Sequence, residues 1–126
     1  MLYAALIYSA DDVGPKPGTP EWDTFMGGYA AANKVYAERG VMRGGEPLQH
    51  TSTATSVRVR DGKVETMDGP FAETKERLGG FYLLDCKDLD EAIEMAALIP
   101  SAEFGTVEVR PVMHYYLNLI GREECN

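Results

Sequence analysis

A chain of 126 residues with 44% hydrophobic and 25% charged residues has the balance of one small folded domain, which argues against a disordered tail, a collagen-like repeat or a membrane span. The formal charge of −8, with no basic stripe carrying interleaved aromatics, would repel a phosphate backbone and argues against nucleic acid as a partner. Two cysteines, Cys86 and Cys125, build no disulfide framework and belong to no Cys-x-x-Cys pattern, so a reducing cytoplasm is the expected home.

The run Leu2 to Tyr8 is apolar on both faces and has no basic flank, so it reads as a central strand and not as a signal segment. The polar stretch from Ser9, with Pro15, Pro17 and Gly18, ends it as a loop. Thr19-Pro20-Glu21 then starts a helix: a hydroxyl caps free N–H groups and proline is tolerated at the first helical position. Trp22, Phe25, Met26, Tyr29, Asn33 and Tyr36 recur at helical spacing and Gly40 supplies a stop, which predicts a helix over Pro20 to Arg39. A short strand is expected near Val41 to Gly44, bulging at Gly44 and Gly45.

Ser56 to Arg60 and Lys63 to Met67 alternate with period two around Asp61-Gly62, the preferred chemistry of a type I′ hairpin turn. A two-residue loop fixes the register, pairing Arg60 with Lys63, Val59 with Val64, Arg58 with Glu65, Val57 with Thr66 and Thr55 with Asp68. Gly80 to Cys86 predicts another strand. Asp88 to Ile99 predicts a helix, with a capping-box spacing at Asp88 and Glu91 and an apolar stripe of Leu89, Ala92, Ile93 and Ala96 before Pro100. Thr106 to Val112 predicts a last strand, which alternation from Met113 to Leu119 would extend.

Strand, helix, strand, hairpin, strand, helix, strand is an α+β order: a ferredoxin-like βαββαβ plait with an inserted β-hairpin. Helices on one face leave the other face of the sheet to be covered, and a second copy of the chain is the expected cover.

The stretch Asp68-Gly69-Pro70-Phe71-Ala72-Glu73-Thr74-Lys75-Glu76, followed by Gly79-Gly80-Phe81-Tyr82, resembles the signature of the DGPF family within the YCII-related domains. The similarity extends through Gly44-Gly45-Glu46-Pro47-Leu48, Thr53-Ala54-Thr55 and Val107 to Pro111, reaching as far as Val112. It implies one YCII-related domain over residues 1–126 with 113–126 as a tail, and a homodimeric, α+β-barrel-like assembly with a cleft in each protomer. YCII-related proteins suggest a His-Asp pair for acid–base chemistry, with the histidine on the first helix; here that helix contains none, and neither His50 nor His114 takes its place.

Candidate chemistry therefore falls on other residues. Asp68 admits two readings: a turn organiser accepting backbone N–H bonds, or an inward-facing base whose pKa desolvation would raise. Glu73 and Lys75 belong to a mixed charge run that reads either as a solvated turn or as an acid–base group and an anion holder beside Asp68. Glu46 in its Gly-Gly-Glu-Pro turn, Arg58, Tyr82 and Phe71 are candidates for ligand binding, against plainer roles as a bend, an ion pair with Glu65, core packing and an apolar anchor. No spacing fits a metal site, a phosphate loop or a hydrolase triad, so no cofactor is expected. Three functions stay open: a cofactor-independent enzyme doing elimination or isomerisation on a small molecule, a small-ligand-binding accessory or regulatory protein associated with a sigma factor, as the resemblance implies, and a bare structural dimer.

Overall fold

The structure is a computed structural model and describes residues 1–113. Eight elements follow one another: β1 (Leu2–Ser9), α1 (Pro20–Arg39), β2 (Met42–Pro47), β3 (Thr55–Arg60), β4 (Lys63–Asp68), β5 (Arg77–Asp85), α2 (Leu89–Ala96) and β6 (Thr106–Pro111). Short 3₁₀ turns at Thr51–Thr53 and Pro100–Glu103 join them. Four strands form an antiparallel sheet in the order β2-β5-β1-β6, while β3 and β4 pair only with each other. The fold is α+β and compatible with a ferredoxin-like plait.

Local chemistry explains the boundaries. The Thr19 hydroxyl accepts from the Trp22 amide at the start of α1, and Gly40 ends the helix in the left-handed region, its N–H bonded to the carbonyls of Ala37 and Tyr36. At α2 the Asp88 carboxylate accepts from Glu91 N at 2.9 Å, and the Glu91 side chain reaches back to the amide of Lys87, one residue before the cap. The hairpin register is the predicted one, from Arg60 opposite Lys63 to Thr55 opposite Asp68. Asp61 and Gly62 both take positive φ, 52° and 74°, as a type I′ turn requires.

The core lies between the helices and one face of the sheet. Tyr3, Ala5 and Ile7 alternate into it from β1, meeting Ala32 and Tyr36 of α1 and Ala92 and Met95 of α2. Tyr36 is wholly buried, and its hydroxyl donates to the Met95 carbonyl at 2.6 Å, so the ring fills volume without stranding a polar group. The opposite face carries Ala4, Leu6, Phe81 and Leu83, all half-buried.

Three expectations shift. β2 runs past the glycines to Pro47, because an irregularity between Met42 and Gly44 absorbs the bend while pairing with β5 continues. The buried stripe of α2 is Ala92, Met95 and Ala96, whereas Leu89 and Ile93 are exposed: an eight-residue helix presents one narrow face, and Met95 reaches further into the core. β5 begins at Arg77, three residues before the predicted start. The proposed extension of the last strand from Met113 lies, beyond that residue, outside the described part of the chain.

Candidate functional site

Between α1 and the β2–β5 edge of the sheet lies a cavity of about 630 Å³. The residues that form α1's apolar stripe make one wall: Trp22, Phe25, Met26, Tyr29 and Asn33. The opposite wall includes Gly45, Gly79 and Gly80, which add no side chain, beside Met42, Glu46, Pro47, Phe81 and Tyr82. Gly45 is required there, as its φ of +150° is unfavourable for other residues and an added Cβ would lie 2.6 Å from the Phe81 carbonyl oxygen. The cavity is therefore the consequence of a ring-rich helix set against a glycine-rich strand pair.

The aromatic wall is braced. Phe25 packs against Trp22 at 5.4 Å between ring centroids, edge-on to Tyr29 at 5.3 Å, and against Phe104 at 5.6 Å. Two hydroxyl pairs mark its polar points. Tyr29 shares a hydrogen bond of 2.8 Å with the buried Ser101, and Tyr82 donates to Asn33 Oδ1 at 2.8 Å. Tyr29 and Asn33 are four residues apart on α1, so the two pairs stand about one helical turn from each other. Burial pushes both tyrosine hydroxyls above the usual phenol range, against the smaller opposing effect of each one's hydrogen bond. Both are uncharged at neutral pH.

Of the residues singled out from sequence, Tyr82 and Glu46 line this cavity. Glu46 pairs with Phe81 and so shares the sheet face turned away from the helices, which places it at the rim. Asp68, Glu73 and Lys75 do not line it, and all three are exposed. The turn after Asp68 is held by Gly69 N donating to Ala54 O at 2.7 Å and by the Ser56 hydroxyl donating to Gly69 O at 2.8 Å, not by the Asp68 carboxylate. The hairpin register does place Asp68 on the face of Val57, Val59 and Val64, but among the described residues no layer lies above that face, and Asp68 is exposed. Phe71 is 87% exposed and is no apolar anchor among the described residues. Arg58 makes the cross-strand pair with Glu65 at 3.4 Å.

Trp22, Phe25, Tyr29, Asn33 and Ser101 were not legible as site residues, because an aromatic stripe at helical spacing reads as core. The available signal lay in the facing segments, where Gly44-Gly45 and Gly79-Gly80 cannot fill the space such rings would need. A second hollow of about 350 Å³ is lined by charges that largely pair with one another, Arg43 with Asp85 at 3.1 Å and Arg39 with Glu91 at 3.5 Å, and reads as structure.

A four-stranded antiparallel sheet with two helices on one face and an aromatic, glycine-floored cavity under the first of them defines a small α+β protein with a ligand-sized hollow. Residues 1–115 match the YCII-related domain, and the chain belongs to that family. It is 40% identical over 117 residues to an uncharacterised protein of Rhizobium meliloti (strain 1021), an alignment covering 91% of this chain and 94% of that one.

Proposed function

We propose that the protein is a homodimeric, cytoplasmic binder of a small aromatic molecule, which it holds in the cavity beneath α1. In this reading the fold is a ferredoxin-like plait with β3–β4 as an inserted hairpin. The observation that carries the reading is the cavity itself: its volume falls in the range of small-molecule sites, and it combines apolar walls with a few convergent polar groups. A fragment screen by thermal shift on the purified chain tests it, since a ligand that binds only the native state raises the melting temperature. Gly79→Phe is the control, because Gly79 lines the cavity and a Cβ there meets nothing within 4 Å. This variant should fold and lose the shifts; shifts that survive it would place binding elsewhere.

The dimer is supported by a second set of side chains. Val57, Val59 and Val64 share one face of the hairpin at 64%, 58% and 69% exposure, and Phe71, shortly after β4, is exposed as well. A second copy seated there would cover this patch, and it is also what a catalytic role for Asp68, Glu73 and Lys75 requires, because only a covering layer would desolvate those groups. In that second reading a bound aromatic molecule is chemically converted by proton transfer; in the accessory reading it is bound and released unchanged. Mass spectrometry of the ligand after incubation separates them, and Asp68→Asn should abolish conversion while sparing the dimer if the acid–base reading holds.

A further inference from the structure

The cavity's polar inventory limits what can occupy it. Among the described residues its walls carry no lysine, arginine or histidine, and the one carboxylate, Glu46, sits at the rim. Every other polar side chain is neutral. An anion entering here would give up water and meet no cation in exchange, a loss that apolar surroundings make large. A cation could stack on the Trp22 or Tyr29 ring, but the one carboxylate among the described lining residues stands at the rim, and the O–H and N–H donors inside would face it unpaired.

The two hydroxyl pairs supply what a neutral polar group needs. In the Tyr29–Ser101 pair one hydroxyl donates to the other, which leaves the second O–H proton for a guest. In the Tyr82–Asn33 pair the tyrosine proton is used, leaving the Asn33 amide N–H groups as donors and the Tyr82 oxygen as an acceptor. A hydroxyl or carboxamide, which both donates and accepts, matches this arrangement. We propose that the ligand is an uncharged aromatic molecule bearing such a group, oriented by the Tyr29–Ser101 pair with its ring between the aromatic wall and the glycine floor. This rests on the cavity being the binding site and names the class of molecule it takes.

The test compares three probes of matched shape at pH 7: naphthalene-2-methanol, 2-naphthoate and 2-naphthylmethylammonium, with Kd values measured by chemical-shift titration of the full chain. The alcohol should bind at least about tenfold more tightly than either ion, and Tyr29→Phe should weaken the alcohol about tenfold while leaving plain naphthalene unaffected. Equal or tighter binding of either ion overturns the assignment while leaving the cavity as the site. Indifference of the alcohol to Tyr29→Phe overturns the orientation. If none of the three binds, the binding function and this assignment fall together.

Discussion

The four-stranded sheet and the β3–β4 hairpin are built from similar residues yet live in opposite environments. On β1 the alternating side chains Tyr3, Ala5 and Ile7 are buried beneath two helices, whereas on β3 and β4 the equally regular Val57, Val59 and Val64 lie open. Both show the same period-two pattern, so alternation reports which face is apolar and not whether anything covers it. Cover comes from topology: the β1–α1–β2 and β5–α2–β6 connections lay helices over the sheet, while the two-residue turn at Asp61-Gly62 returns the chain with nothing to lay across it.

The sharpest way to strain this comparison is to truncate one side chain on each side of it. Leu84→Ala removes a fully buried side chain and should cost about 2–5 kcal/mol in urea denaturation; a cost similar to that of Val59→Ala would mean the hairpin is as deeply buried in the working assembly. Val59→Lys asks whether a second copy supplies the missing cover: the dimer Kd should rise at least about tenfold by analytical ultracentrifugation, a loss of about 1.4 kcal/mol, with the circular dichroism of the sheet unchanged. Gly62→Val forces a β-branched residue into φ of 74°, at about 1–2 kcal/mol. Hydrogen exchange should accelerate for the amides of β3 and β4 and stay unchanged for β1 and β5.

The smallest effect is a slope in pH. Burial, with help from the nearby carboxylates of Glu91 and Asp85, pushes the Cys86 thiol up from 9.0 to about 11. The folded state thus keeps a proton that the unfolded state releases, so this contribution is complete below pH 9 and is lost as the pH rises toward 11. Melting temperatures of the wild type should fall through that window more steeply than those of Cys86→Ala.

Those residues also show how far the sequence could be read. Hairpin, helix caps and strand order were all legible, because each rests on chemistry between neighbours in the chain: Thr19 before Pro20, Asp61 before Gly62, Asp88 three residues before Glu91. The site was not, because it is made by distant segments and by a deficit. Trp22, Phe25 and Tyr29 announce a packed stripe, and only their juxtaposition with Gly45, Gly79 and Gly80 turns it into a hollow wall. The segment from Asp68 to Glu76 is the opposite case: charge and a tight turn look like chemistry in one dimension, and among the described residues its charged side chains are exposed.

The tethering of α1 has a consequence for rates. Its far end is fixed by the Tyr36 hydroxyl on Met95 and by Arg39 on Glu94, and its middle by Tyr82 on Asn33 and Tyr29 on Ser101. Four tethers along the last three turns oppose a rigid-body swing of the helix. At the near end the exposed Met26 lines the hollow, and an exposed side chain changes rotamer in picoseconds to nanoseconds. Association of an uncharged guest should then be limited by encounter, insensitive to salt and only weakly dependent on temperature, while residence time is set by how firmly the hydroxyl pairs hold it.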